Sequence, residues 1–335
     1  MTQRVETDVL RDRPSEADPG RDGAHAGQPG EPVPAAAAPT AARMALAFGS
    51  IYFIWGSTYL AIRVAIETLP PFLMAAARFL IAGGLLYVWA RRGAAARPSP
   101  AEWRAATIAG GLMLLGGNGG VVWAEQRVAS GVTALLVASV PLWMVLVDWL
   151  RPSGRRPTAS TMLGVLAGLG GVVLLVGPGE LAGARRVDPL GAGVLMFASL
   201  CWSIGSVYAR HGQRPGSAAM TTAMQMLAGG ALLLIAGTVA GQWSAVHAAT
   251  VSLRSLGALA YLIVLGSLVG YSAYVWLLGV TTPARVATYA YVNPVVAMVL
   301  GWLMANEPLT ARTLLAAGVI LSAVVLIVTR REGAR

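Results

Sequence analysis

Apolar segments of about 20 residues recur along this chain from Met44 almost to its C-terminal end. A helix of that length rises about 30 Å, which matches the hydrocarbon core of a bilayer. Helices are required there because unpaired backbone groups are too costly in lipid, and the segments lack the period-two alternation of a membrane barrel. The pattern predicts ten spans, near residues 44–66, 69–90, 106–124, 128–149, 158–177, 189–209, 219–239, 255–278, 284–304 and 310–329.

Composition also indicates a bilayer as the solvent. Only 12% of the 335 residues are charged, whereas a soluble domain carries about 25%. The formal net charge is +10, but the Arg residues lie in short loops between apolar runs, which indicates membrane topology and not a nucleic-acid surface. A single cysteine, Cys201, excludes an internal disulfide or a cysteine metal cluster, and we interpret it as a small buried hydrophobic residue.

Residues 1–43 differ from the rest of the chain, because they hold seven acids, several Pro and Gly residues and few large apolar side chains. They are predicted to form a disordered cytoplasmic tail. With the N-terminus inside, 18 Arg residues fall on the cytoplasmic side of the predicted spans and five outside. The positive-inside rule therefore places both termini in the cytoplasm of a multi-pass inner-membrane protein.

The second half of the chain repeats the first with a slowly drifting offset. Three tryptophan pairs coincide in register: Trp55 with Trp202, Trp123 with Trp276, and Trp149 with Trp302. Five spans per copy is an odd number, so the second copy should enter the membrane inverted. We therefore predict an all-α polytopic membrane protein of two inverted five-helix repeats, 44–180 and 186–330. Such repeats are typical of secondary transporters, whose solute site lies near the midplane between the copies.

Arg78 is the most costly residue for a membrane protein to place, since it lies about nine residues into the second predicted span. It either contacts an anionic group of a solute, such as a carboxylate, or pairs with backbone carbonyls at a helix end. Asn118 lies in the glycine-rich stretch 116–120. The glycines favour close helix packing, and Asn118 is a candidate to line a cavity.

Polar aromatic residues enter the eighth and ninth spans. Tyr271 and Tyr274 share one helix face at i, i+3, and Tyr289 and Asn293 share another at i, i+4, with Pro294 following. Rings and hydroxyls in this pattern favour an amphipathic pocket for an organic solute, although an interfacial aromatic belt is the alternative.

Two acids lie near the outer ends of spans, Glu125 and Glu307. Each is a candidate for coupling transport to a proton, with a solvated loop acid as the alternative. The sequence lacks a Walker A loop, HExxH and GxSxG, so we expect neither an enzyme nor a cofactor or metal.

Several short motifs together resemble the EamA family of the drug/metabolite transporter superfamily, and within it the YedA-type members. They are Ile54 to Tyr59 (IWGSTY), Pro70-Pro71 followed by Arg78-Phe79, Gly117-Asn118, Ala124-Glu125, and residues 289–296 (YAYVNPVV) with Glu307. The resemblance covers about 44–330 and implies ten helices around a central cavity, alternating access, and export of metabolites or drugs, often amino acids. It adds Trp55 to the candidate site with Arg78, Tyr289 and Asn293. One departure is that the first-half loop 151–156 has no acid equivalent to Glu307.

These observations predict a secondary transporter that exports small amino-acid-like metabolites or drugs. The candidate solute contacts are Arg78, Trp55, Asn118, Tyr271, Tyr274, Tyr289 and Asn293. The expected partners are a small-molecule solute and the lipid bilayer, with a homodimer left open and no nucleic acid. Two alternatives are an exchanger of phosphorylated or nucleotide sugars, which would need several cavity cations, and a membrane enzyme or scaffold.

Overall fold

The computed structural model describes residues 39–93, 97–128, 133, 136–152, 154, 156–181, 188–212, 217–305 and 311–329. Throughout these ranges every regular element is a helix. The predicted tail lies outside the described residues except for Pro39 and the residues that follow it, and the expected coupling residue Glu307 also lies outside them.

Six helices are long and apolar enough to cross a membrane. They are α1 (Ala41–Ala65), α2 (Pro71–Gly93), α3 (Pro100–Ala124), α6 (Pro189–His211), α7 (Ala218–Val239) and α8 (Leu253–Val280). The remaining long elements are α4 (Val140–Leu150), α5 (Ala159–Leu181), α9 (Tyr289–Ala305) and α10 (Ala311–Thr329), and a short helix, Pro283–Ala287, leads into α9. The described residues thus form a multi-pass helical bundle, while the count of ten spans stays a prediction.

Helix starts follow local capping chemistry. α3 begins at Pro100, six residues before its predicted start, because Ser99 and Glu102 form a capping box in which each side chain accepts a hydrogen bond from the other's backbone N–H. α1 begins at Ala41, where the Thr40 hydroxyl accepts a hydrogen bond from the backbone N–H of Arg43. The apolar pattern alone does not reveal these first turns, which are polar.

Two helices contain π-helical stretches at equivalent positions of the repeat. One stretch spans Gly111–Gly119 in α3, and the other spans Leu262–Tyr271 in α8. At the offset of 153 residues found in the sequence, the first stretch falls on residues 264–272. π-Helical turns are rare and concentrate at functional sites. Their occurrence at equivalent positions of α3 and α8 therefore indicates a functional region in both halves.

Helix contacts are reciprocal between the two halves. α1 packs against α9, and their counterparts α6 and α4 also pack together; α3 packs against α7, and α8 packs against α2. α2 packs against its own counterpart α7, as α5 does against α10. This reciprocal pattern is the one expected of two related copies of one unit.

Glycine allows the close approach of α2 and α7. A Cβ atom added at Gly83 would lie 2.8 Å from the Met226 Cβ and 3.0 Å from the Leu227 nitrogen. The neighbouring Gly84 has no atom within 4 Å of such a position. Substituting each of these adjacent glycines can therefore distinguish the packing role of Gly83 from the general effect of a glycine on helix stability.

We expect Gly83→Ala to lower the thermal stability of the solubilised protein, since overpacking costs about 1–3 kcal/mol. The matched control, Gly84→Ala, should leave stability unchanged or slightly higher. The measurement is the fraction of monodisperse protein that survives heating, read by fluorescence-detected size-exclusion chromatography. Equal losses in both variants would contradict the packing role of Gly83.

Candidate functional site

A cavity of about 80 Å³ lies among α1, α2, α3, α4, α6, α8 and α9. Six of the seven solute contacts expected from the sequence line it: Trp55, Arg78, Asn118, Tyr271, Tyr289 and Asn293. Five further polar or aromatic residues line the cavity and were not among the expected solute contacts: Thr58, Tyr59, Phe79, Ser199 and Trp202. The space accommodates several waters, and an amino-acid-sized solute would need it to widen.

Arg78 presents a positive charge in this cavity and is only 4% exposed. Its Nε donates a hydrogen bond to the Ser267 Oγ at 2.8 Å, and its guanidinium carbon lies 4.7 Å from the centre of the Phe79 ring. A Cβ at Gly266 would lie 2.9 Å from Nη2, so this glycine makes room for the guanidinium group. Among the described residues, no carboxylate forms a salt bridge with Arg78.

Five aromatic rings form a continuous cluster beside Arg78: Trp55, Trp202, Tyr271, Tyr274 and Tyr289. The repeat-related Trp55 and Trp202 meet edge to face, with ring centroids 5.6 Å apart. The Trp55 ring also contacts Tyr289 at 4.9 Å and Tyr274 at 5.1 Å. Such a cluster provides a large apolar surface, and its Trp and Tyr side chains also carry N–H and O–H groups that can form hydrogen bonds.

Tyr274 lies behind the cavity wall and does not line the cavity itself. Its hydroxyl accepts a hydrogen bond from the Trp202 Nε1 at 2.9 Å and shares one with the Ser206 hydroxyl at 2.6 Å. Trp55 is held in a comparable way, since its Nε1 donates to the Gly266 carbonyl at 3.1 Å. Both tryptophan rings are therefore fixed by α8, through one side chain and one backbone group.

Two side-chain amides at the cavity have polar atoms without partners. The Asn118 Oδ1 and both amide atoms of Asn293 are buried, and none forms a hydrogen bond with the described residues. Tyr59 lies beside Asn293 without a hydrogen bond of acceptable geometry. Buried polar groups are rarely left in this state, so these atoms are available to water or to a bound solute.

A hydrogen bond separates this cavity from a second, smaller cleft. The Tyr271 hydroxyl donates to the Gln225 Oε1 at 3.0 Å. Tyr271 lines the cavity, whereas Gln225 lines a cleft together with Ala109, Tyr208 and Thr221. The Tyr271–Gln225 bond thus stands between two spaces, and Gln225 is a site residue that the sequence pattern did not indicate.

Fold and site together define a multi-pass helical membrane protein that encloses a polar, aromatic-lined cavity. The chain matches the EamA-like transporter family over residues 43–177 and again over residues 189–329, one match in each half. It therefore belongs to the EamA family, which confirms the resemblance seen in the sequence.

Relatives agree with a transport role. The chain is 39% identical over 279 residues to the uncharacterized inner membrane transporter YedA of Escherichia coli K12, covering 83% of this chain and 88% of that protein. It is 23% identical to the uncharacterized transporter YoaV of Bacillus subtilis, covering 80% and 90%. One crystal structure aligns with a TM-score of 0.67 at 19% identity, covering 86% of this chain and 97% of that one. This last likeness concerns the fold alone.

We expect Tyr274→Phe to destabilise the protein although the residue lies outside the cavity. The change leaves the Trp202 N–H without its acceptor, and an unpaired buried donor costs about 1–3 kcal/mol. The measurement is the thermal midpoint of the purified protein. The control is Tyr87→Phe, which changes a half-buried tyrosine that packs on Trp103 away from the cavity. A Tyr274 variant as stable as this control would contradict the structural role of the hydroxyl.

Proposed function

We propose that this chain is a secondary transporter that exports small amphipathic carboxylates, amino-acid-like metabolites or drugs, by alternating access. The observation that carries the proposal is Arg78, a buried cation at the cavity whose described neighbours include no carboxylate partner. A buried charge costs several kcal/mol unless it is paired or hydrated. A carboxylate solute would pair with it through charge-assisted hydrogen bonds.

The other walls of the cavity suit the rest of such a solute. The rings of Trp55, Trp202 and Tyr289 supply an apolar surface for a carbon skeleton. The free amide atoms of Asn118 and Asn293 offer acceptors and donors to an amino or hydroxyl group. One cation, two amides and an aromatic wall favour a solute with one carboxylate and an apolar body.

The proposed architecture has ten spans in two inverted five-helix repeats, with both termini in the cytoplasm. The two family matches and the reciprocal helix contacts support a duplicated unit. The cavity residues of α1 run from Trp55 to Ile62, towards the helix end that the Arg distribution places outside. Alternating access would open the opposite end in turn.

Two contacts would keep that opposite, cytoplasmic end closed in this conformation. Tyr52 and Thr288 hydroxyls lie 2.7 Å apart, and Thr288 also donates to the Arg285 carbonyl at 2.6 Å, so Tyr52 is the donor of the pair. The Tyr271–Gln225 bond separates the cavity from the second cleft. Rocking of the two halves would have to break both contacts.

The rival solute class, a phosphorylated or nucleotide sugar, fits this cavity less well. A phosphate group is usually held by several cations or by clustered N–H donors. In the described part of the cavity lining, Arg78 is the sole Arg or Lys. A scaffold would instead require a solid interior, which the cavity does not provide.

Arg78→Ala should abolish protein-dependent loss of preloaded carboxylate solutes from overproducing cells. We suggest L-phenylalanine, L-methionine and phenylacetate as probes, with phenylethylamine as the matched amine that lacks a carboxylate. Arg78→Lys should keep partial flux, because it retains the charge but not the planar fork. The control Arg92→Ala changes an exposed cation on the same helix and should behave like the parent protein. Undiminished flux in Arg78→Ala would overturn the site assignment.

Loss of the Tyr271–Gln225 hydrogen bond, which we propose helps to keep the cytoplasmic end closed, should make the second cleft accessible from the cytoplasm. In a Cys201→Ser background, Ala109→Cys places a thiol in the cleft. Adding Tyr271→Phe should speed its labelling by a membrane-impermeant maleimide in inside-out vesicles, because the hydroxyl that bonds Gln225 is gone. Tyr87→Phe in the same background is the control. Labelling that is faster in right-side-out vesicles would contradict the proposed orientation.

A further inference from the structure

Glu125 is a half-buried acid whose carboxyl group is buried, and the solute site does not use it. It immediately follows the last residue of α3, Ala124, and its backbone N–H donates to the Val121 carbonyl at 2.9 Å. Both carboxyl oxygens are buried, and neither has a hydrogen-bond partner among the described residues. A carboxylate in such a place would lose its hydration without compensation, so the site disfavours the charged form.

Two residues one turn apart on α1 face Glu125. Arg63 acts on the carboxyl group electrostatically, and the charge of Glu125 in turn acts on Tyr59. Tyr59 lines the solute cavity beside Asn293. Residues four apart lie on the same helix face. α1 therefore places the Arg63 cation and the Tyr59 hydroxyl on the face that extends from Glu125 to the cavity.

Other charges at this end of the bundle are engaged elsewhere. Arg127 pairs with Asp188, which caps α6, at 3.7 Å, and Arg254 lies 3.9 Å from Glu67. The first seven residues of α2, which also packs near the end of α3, carry no charge. The cavity cation of α2, Arg78, bonds to Ser267.

Burial raises the pKa of the Glu125 carboxyl to about 8, and the positive charge of Arg63 offsets only part of that rise. The group is therefore mostly protonated at neutral pH and loses its proton as the pH rises through 8. This range is accessible to the proton gradients of living cells, whereas an ordinary solvated carboxyl near 4.5 would stay charged throughout.

We propose that Glu125 is the proton-binding residue of this transporter and exchanges its proton with water in the solute cavity past Tyr59. The inference rests on the proposed function and adds its coupling ion. In the release step the O–H bond of the carboxyl group breaks, its electron pair stays on the carboxylate facing Arg63, and the proton passes to a water molecule. Reprotonation reverses the step when the cavity opens to the other side.

Infrared titration of the purified protein tests this without any transport. The parent protein should show the C=O stretch of a protonated carboxylic acid at pH 7, and the band should vanish with a midpoint near pH 8. Glu125→Gln, which is isosteric with the protonated group, should lack the band. Glu67→Gln, an exposed acid at the same end of α1, should retain it. Absence of the band, its persistence in Glu125→Gln, or a midpoint near 4.5 would overturn the proposal.

A second measurement connects the proton to solute movement. In vesicles with an imposed pH gradient, parent protein should accumulate L-phenylalanine, while Glu125→Gln should lose accumulation and keep exchange of labelled for unlabelled L-phenylalanine. Accumulation by Glu125→Gln equal to that of the parent would refute coupling through this residue. The infrared result is independent of flux, so a failure of the transport proposal and a failure of the proton site are distinguishable.

Discussion

A guanidinium group buried among apolar helices must find polar partners, and the centre of this bundle is arranged around that demand. Arg78 donates a hydrogen bond to the Ser267 hydroxyl and packs against the Phe79 ring, while Gly266, which has no side chain, leaves space for the guanidinium group. These contacts orient the cation without neutralising it, since none is anionic. A bundle built for stability alone would be better served by an apolar residue here, because paired burial of charge rarely improves on hydrophobic packing. The retained charge therefore argues for a solute that completes the pair.

The two halves share their arrangement of helices but differ in the side chains that they place at the cavity. At the offset that aligns the Ala-Gly-Gly triplets of α2 and α7, Arg78 corresponds to Met224 and Phe79 to Gln225. One half thus supplies a cation to the cavity, and the other supplies the amide that receives the Tyr271 hydroxyl. Trp55 and Trp202 keep their positions, yet one bonds a backbone carbonyl and the other a tyrosine. In the proposed transport cycle, duplication would provide the reciprocal helix contacts for two alternative openings, and divergence of a few side chains would provide one asymmetric solute site.

Much of this arrangement was predictable because lipid penalises particular residues so heavily. Apolar length located the helices, and the cost of a buried charge or amide directed Arg78, Asn118 and Asn293 to the interior. Which side chains line the cavity could not be predicted fully, because that depends on the rotation and contacts of each helix. Tyr274 has the same type and spacing as Tyr271 but lies behind the wall, because its hydroxyl is used by Trp202 and Ser206. Gln225 lay in no motif, and Tyr59 belonged to the IWGSTY motif without being recognised as a cavity residue. The π-helical stretches were not predicted either.

Unsatisfied polar atoms are the feature that separates this interior from an ordinary membrane core. In the described residues they include the Asn118 Oδ1 and the Asn293 amide at the cavity and the Glu125 carboxyl beyond Tyr59. Each group loses hydration on burial, and the free energy is recovered only when a polar partner arrives. If these atoms had bonded to one another, the bundle would be more stable and more rigid. In the proposed mechanism, a solute and a proton bound to these groups would change the relative stability of the two conformations, because a ligand shifts an equilibrium only through contacts that differ between its states.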